Sequence, residues 1–400
     1  TTNPSAYTST APATHLPKPG GGYYPEDLIL HTFVDHNDDP ITSPYINIQN
    51  ASDQATSAKV IWEDCQNIVT TPKVTGSGAD SYLTFTIKKE NLQNGNAVVA
   101  VTNAAGNKVM WSWHLWFTPK SSLKTIPFTS VGSTYNFMTD NLGWKYTKWT
   151  GGLKREVVVK IEQQAETGEK KTATITLKQA PGNNVREGYG NLYQWGRKDP
   201  LPGINTTGFA FDNNYVEIPK DKGEEPANVI KMKTRTIGRS IQNPGIMLPK
   251  VGGGKLGWHY QQIINMWSAN NNKLDGSVRN NVKTIYDPSP VGFKVPDAHA
   301  FMGFSTTGAV WSNGYTFKVD NDKEIYFQAG GARYGTSGAL TANGTVGFYW
   351  QSVPKPDGAG SLGFGYRTSM KDGTIATINS PATDDLGSYA NGYGVRPVAE

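Results

Sequence analysis

Trp111-Ser-Trp-His-Leu-Trp-Phe117 decides the fold class of this chain. Side chains alternate across a strand, so Trp111, Trp113, Leu115 and Phe117 share one face while Ser112, His114 and Trp116 share the other. A face carrying four large apolar side chains belongs in a core. Upstream, Asp27–Phe33, Ser57–Trp62, Ser81–Ile87 and Asn96–Thr102 repeat strand-like patterns, and Asn94-Gly95 and Ala105-Gly106-Asn107 supply turns between them. This spacing predicts a β-sandwich over residues 23–122. Residues 1–22, rich in Thr, Ser, Ala, Pro and Gly, read as a flexible tail or linker.

The remainder of the 400-residue chain agrees with a mainly β protein containing some α structure. The whole chain has 44 Gly and 24 Pro, with 11% aromatic and 18% charged residues, which excludes a coiled coil or helical bundle. A net charge of +5 gives no electrostatic footprint for nucleic acid. Cys65 is the one cysteine, so neither an internal disulfide framework nor a cysteine zinc site is available. The most apolar runs, Ala97–Val101 and Val109–Phe117, are far shorter than the roughly 20 residues of a membrane-spanning helix. The chain opens on Thr1 without Met, as after removal of a signal peptide or lipid anchor, and a soluble chain is expected.

Pro119-Lys-Ser-Ser-Leu-Lys-Thr125 interrupts the strand pattern and marks a domain boundary. Beyond it, Arg155–Glu162 and Lys171–Lys178 flank Glu166-Thr-Gly-Glu-Lys170, which predicts a long β-hairpin. Gln261–Trp267 and Asp297–Met302 are the plausible helices.

No catalytic or metal-binding constellation stands out. The histidines lack metal-type spacing, and His114 has no nucleophile or acid partner nearby in sequence. Asp35/Asp38/Asp39 and Asp384/Asp385 read as solvated turns rather than a spaced calcium loop. Val251-Gly-Gly-Gly-Lys255 lacks the ending of a phosphate-binding loop and reads as a flexible surface loop. What remains is aromatic rings beside amides and hydroxyls in Trp258-His-Tyr260, Trp311-Ser-Asn-Gly-Tyr315 and Tyr389-Ala-Asn-Gly-Tyr393. Such mixtures suit sugar faces or protein surfaces, although most aromatics of a helix-poor domain must fill its core. Trp258, Tyr260, Trp311, Asn313 and Tyr315 are the candidate ligand-binding residues. No metal site and no cofactor is expected.

Five phrases carry a family resemblance: Phe137-Met-Thr-Asp-Asn-Leu142, Tyr189-Gly-Asn-Leu-Tyr-Gln-Trp-Gly-Arg-Lys-Asp-Pro200, Tyr286-Asp-Pro-Ser-Pro-Val-Gly-Phe-Lys-Val-Pro296, Gly347-Phe-Tyr-Trp-Gln-Ser352 and Gly392-Tyr-Gly-Val-Arg-Pro-Val398. In this order they resemble surface proteins of gut-type Gram-negative bacteria built on a C-type-lectin-like fold related to formylglycine-generating enzymes. The upstream strands resemble the sandwich that precedes such domains in fimbrial and cell-adhesion proteins.

The resemblance implies a C-type-lectin-like α+β domain over residues 123–400, with the hairpin at 152–182 inserted in it, behind a sandwich that serves as stalk or assembly module. It also implies a non-catalytic adhesin, a fimbrial tip subunit, that binds a host or bacterial surface glycan or protein and other fimbrial subunits. An outer-surface location follows from the same likeness, fimbrial or lipid-anchored before trimming. A carbohydrate-processing surface enzyme and a structural subunit without its own ligand are the competing readings. Where many members carry cysteines this chain has Ser289 and Pro397, so neither their crosslink nor a redox activity carries over. Glu225-Pro-Ala-Asn228 departs from the calcium-dependent sugar motif. The closing segment 392–400 is expected to be an internal strand, so the sandwich would accept a neighbour's strand while the chain donates none.

Overall fold

The structure is a computed structural model that describes residues 14–15, 28–30, 33–146, 155–179, 188–204, 235–250, 257–259, 262–273, 278–297, 299–305, 307–320, 323–355, 358–365, 375–378 and 388–400. It is mainly β, as expected. Strand β1 (Thr14–His15) pairs with β2 (Leu28–Leu30), and β2 runs parallel to Gln262–Ile263. Two corrections follow. Thr14 and His15 belong to a sheet rather than to a tail, and β2 pairs with these strands instead of with the strands of residues 57–117.

After the short helix α1 (Ile46–Gln49) come β3 (Ser57–Glu63), β4 (Thr70–Thr75), β5 (Tyr82–Thr86), β6 (Gly95–Thr102) and β7 (Val109–Phe117). They form an antiparallel sheet in the order β3-β6-β7 and a β4–β5 pair. All eight residues of β6 are buried, which accounts for a run, Ala97-Val-Val-Ala-Val101, that is apolar at every position instead of alternating. β4 was not legible in advance. Pro72 and the irregular register between Thr70 and Lys73 break its alternation.

Next come β8 (Thr125–Ser130), β9 (Ser133–Met138), β10 (Lys145–Tyr146), β11 (Arg155–Gln164), β12 (Lys170–Gln179) and β13 (Gly188–Tyr189). The chain divides into two compact units, Lys145–Tyr189 and everything else. The smaller unit is the predicted hairpin, with ten residue pairs from Arg155–Gln179 to Gln164–Lys170 and Gly168 in the turn at φ +80°. Val157, Val159 and Ile161 lie opposite Leu177, Ile175 and Ala173 on one face. β10 and β13 close its base.

Within the larger unit, the boundary expected at 122/123 does not separate two cores. Phe33, Val101 and Trp111 share one hydrophobic cluster with Trp195, Trp267, Trp350 and Tyr393. Trp350 is fully buried, donates its indole N–H to the Tyr193 carbonyl at 2.6 Å and stacks on Tyr393 at 4.1 Å. A second cluster gathers Phe137, Phe301, Phe304, Phe317 and Phe327.

Gly347–Trp350 and Gly392–Val395 are neighbours, as expected: Trp350 N–H donates to the Gly394 carbonyl at 3.0 Å, and Gly394 N–H to that of Phe348 at 2.9 Å. A Cβ on Gly394 would lie 3.0 Å from the Tyr349 ring, tighter than Cβ atoms ordinarily pack, so the close approach favours glycine. Val398–Ala399 lies inside a four-stranded sheet between Phe293–Lys294 and β9.

Among the described residues neither expected helix forms. Gln262–Ile263 is a strand, and residues 299–302 form turns that include buried Ala300 and Phe301. The helix that does form, α2 (Ile237–Gln242), starts at Thr236, whose hydroxyl accepts from Arg239 N–H as an N-cap.

Two outcomes test this organisation. Removing 145–189 and joining Trp144 to Gly190 through two glycines should leave the melting temperature of the remainder within about 3 °C, because that unit has its own contacts. Trp350→Ala should cost about 3–5 kcal/mol in a denaturant titration and unfold the β3-β6-β7 sheet in the same transition.

Candidate functional site

The alternation read at Trp111–Phe117 holds, and its two faces meet different surroundings. Trp111 is buried, whereas Trp113, Leu115 and Phe117 are half-buried. Full burial of all four was expected. It fails because β3 lies beside β4 while β5 and β7 are outer strands of their sheets among the described residues.

Between those strands lies a groove of about 490 Å³, within the size range of ligand pockets. Trp111, Trp113 and Leu115 of β7, Leu83 and Phe85 of β5 and Ile46 of α1 give it an apolar lining, and exposed Tyr45 and Tyr82 also line it. Its two buried amides are already engaged: Asn50 donates to the Ile46 carbonyl at 3.1 Å and accepts from Asn37 Nδ2 at 3.4 Å. Asn47 donates to the Ala55 carbonyl at 3.0 Å and to Ser81 Oγ at 2.8 Å, and accepts from Ala55 N–H at 2.7 Å. The groove therefore offers shape and apolar surface more than free hydrogen-bonding groups.

The other face of β7 docks on residues 191–199. Ser112 Oγ donates to Asp199 Oδ1 at 2.6 Å. The Lys198 ammonium donates to Asp199 Oδ1 at 2.7 Å, to the Ser112 carbonyl at 3.0 Å and to Ser112 Oγ, and it lies 4.7 Å from the Trp111 ring. Burial lowers the Lys198 pKa while the Asp199 carboxylate raises it. With the serine proton committed to Asp199 and all three side chains enclosed, the cluster ties two segments together and presents no nucleophile to solvent.

His114 Nε2 lies 2.9 Å from Asn96 Oδ1, which can only accept, so Nε2 carries the proton and Nδ1 accepts from Tyr193 Oη at 3.1 Å. The Asn191 amide adds a contact at 3.3 Å. Desolvation in this setting pushes the His114 imidazole down to about 3. Trp116 completes the face by donating to the Trp144 carbonyl at 2.9 Å.

The sequence-derived binding residues divide. Trp258 is 3% exposed, sits in the main core and donates to the Trp195 carbonyl at 2.8 Å. Tyr315 is 4% exposed and belongs to the second core. Neither presents a ring to a ligand, because a protein with so few helices needs these aromatics to fill its interior. Tyr389 and Tyr393 are buried for the same reason.

Trp311 is half-buried and meets Tyr315 edge-on at 4.9 Å across the hairpin Val310–Trp311/Gly314–Lys318. Asn313 is exposed at its tip with φ +51°, and its carbonyl accepts from Ala329 N–H at 2.9 Å and Tyr326 Oη at 3.0 Å. Trp311 and Asn313 are thus together and accessible. Trp258 lies in the other core.

Tyr260, Val251–Lys255, Glu225–Asn228 and Asp384/Asp385 fall outside the described residues. Asp35, expected in a solvated turn, is 4% exposed and accepts from the N–H groups of Asn37 and Asp39. Asp38 binds α2, accepting from Gly238 N–H at 2.7 Å and Thr236 Oγ1 at 2.5 Å. Among the described residues no group of three or more His, Cys, Asp or Glu side chains could hold a metal ion. None of the described helices is long and apolar enough to cross a membrane.

No family model, curated protein or solved structure matches the chain.

The His114 environment makes stability depend on pH. Its pKa is about 3 folded against about 6.5 unfolded, so between these values the unfolded chain binds more protons. Stability is fully present above about pH 6.5 and is lost as pH falls toward 3. The urea midpoint should therefore drop between pH 6.5 and pH 4, and drop less in His114→Gln. An equal drop in both proteins would contradict the assignment.

Proposed function

We propose that the chain is a non-catalytic adhesion subunit of a bacterial outer surface. In this reading the sandwich groove receives an extended apolar segment of a neighbouring subunit, and the C-type-lectin-like portion after residue 123 meets a glycan or protein ligand. The observation that carries it is the open side of the sandwich. A groove flanked by two strands whose outer edges are unpaired among the described residues offers backbone edges and an apolar floor, the two things that strand addition uses. The segments that carry the family resemblance support the second half, since Phe137 fills one core and Tyr193, Trp195, Tyr286, Phe348, Trp350 and Tyr393 meet in the other. Of the ligand residues read from the sequence that the structure describes, Trp311 and Asn313 remain as the contact surface, with Tyr260 outside the described residues.

Each half has its own test. Ten-residue peptides with alternating apolar side chains, displayed as a library, should be captured by the protein, and Trp113→Ala should weaken the selected peptides about tenfold or more. Loss of all peptide capture, or capture indifferent to Trp113→Ala, would overturn the groove assignment. On a glycan array the intact protein should bind without altering the glycans, and Trp311→Ala should reduce that signal without affecting peptide capture. Turnover of an arrayed glycan would favour the carbohydrate-processing reading.

A further inference from the structure

His36 is 1% exposed, and neither ring nitrogen has a hydrogen-bond partner among the described residues. Buried imidazoles almost always find at least one. Its position makes the exception informative. Residues 33–41 form a tight turn, with Asp35 N–H donating to the Asp39 carbonyl at 2.9 Å and Ile41 N–H to that of Phe33 at 2.8 Å.

The turn is docked on α2. Asp38 accepts from Gly238 N–H and Thr236 Oγ1, and Gln242 Nε2 donates to the His36 carbonyl at 2.5 Å. A Cβ on Gly238 would lie 2.7 Å from Asp38 N and 2.8 Å from the His36 carbonyl oxygen, so turn and helix are in direct backbone contact. Asp35 at the start of the turn lines the groove, and Gln49, which also lines it, donates to the Pro40 carbonyl at 2.9 Å.

We infer that His36 is a proton-operated latch: taking up a proton releases the turn over residues 33–41 from α2 and so reshapes the Asp35 end of the groove. A charged imidazole with no partner on either nitrogen cannot be satisfied in place, but it is satisfied by water once the turn opens.

The charges around it are accounted for. Asp35 and Asp39 flank it on its own turn, while Asp38 is held by α2. Lys108, from the β6–β7 connection, pairs with Asp53 at 2.7 Å. The charged residue of α2, Arg239, is exposed and bonded to Gln242 Oε1. The three carboxylates Asp35, Asp39 and Asp53 favour the proton; burial, the largest influence, and Lys108 oppose it, and the His36 pKa is lowered overall. Acid therefore favours the open turn, where the imidazole titrates near 6.5. The inference stands whatever occupies the groove.

Hydrogen exchange of the full chain tests it, read as protection factors corrected for intrinsic rates. From pH 7 to pH 5 the amides of residues 33–41 should lose up to about 25-fold in protection, the ratio set by a group titrating at 6.5 only in the open state. Those of β6 should lose distinctly less. In His36→Gln the excess loss over residues 33–41 should vanish. An undiminished excess in His36→Gln, or none in the parent protein, would overturn the proposal. Should His36→Gln fail to fold, the imidazole proton resonances of the parent protein decide. Titration of His36 near pH 6.5 with the turn still protected refutes the latch, and onset of its titration together with loss of turn protection supports it.

Discussion

The packing of the polar face of β7 on residues 191–199 is the contact on which the larger unit depends. Ser112, His114 and Trp116 would be the solvent face of an ordinary two-layer sandwich. Here each is engaged by a side chain or carbonyl from beyond residue 140: Asp199 and Lys198, Asn191 and Tyr193, and Trp144. That face is therefore lined with groups that need partners, and the partners come from the segment that leads into the Trp195 core. This is why residues before and after 122 share a hydrophobic cluster.

A fold with few helices must also satisfy carbonyls in buried loops, and it does so with long donors. The indoles of Trp195, Trp258, Trp267 and Trp350 each donate to a main-chain carbonyl. Arg333, with no exposure, donates to the carbonyls of Pro202, Gly338 and Ile204, and Arg396 to those of Met138 and Tyr326. Arg197 reaches the carbonyls of Ser240 and Asn243 at the end of α2, where a cation is favoured by the helix dipole as well. Orphaned buried carbonyls are costly, so these side chains are structural even though a list of aromatic and basic residues suggests a binding surface.

The same economy separates the groove from the rest. Where no described strand covers β7, Trp113 and Leu115 stay half-buried, and the nearby polar side chains are bonded to one another and to main-chain groups. His36 beside this region has no hydrogen-bond partner for its ring among the described residues. Its burial under a turn stapled to α2 links proton uptake to the wall that Asp35 contributes.

Period-two alternation and turn chemistry are local properties, so the sequence by itself determined the strands β3, β5, β6 and β7, the β11–β12 hairpin and the mainly β class. Alternation also assigned Trp111 and Ser112 to opposite faces correctly. The pairing of Gly347–Trp350 with Gly392–Val395 was legible through its glycines, which mark close backbone approach. Only the tertiary structure decided which faces are covered. Burial of Trp258 and Tyr315, the half-exposure of Trp113, the departure of β2 to pair with Gln262–Ile263 and the shared core across residue 122 all depend on partners far away in the chain. No periodicity within a strand can encode whether the neighbouring strand is present or missing, and that is why the groove had no signature in the sequence.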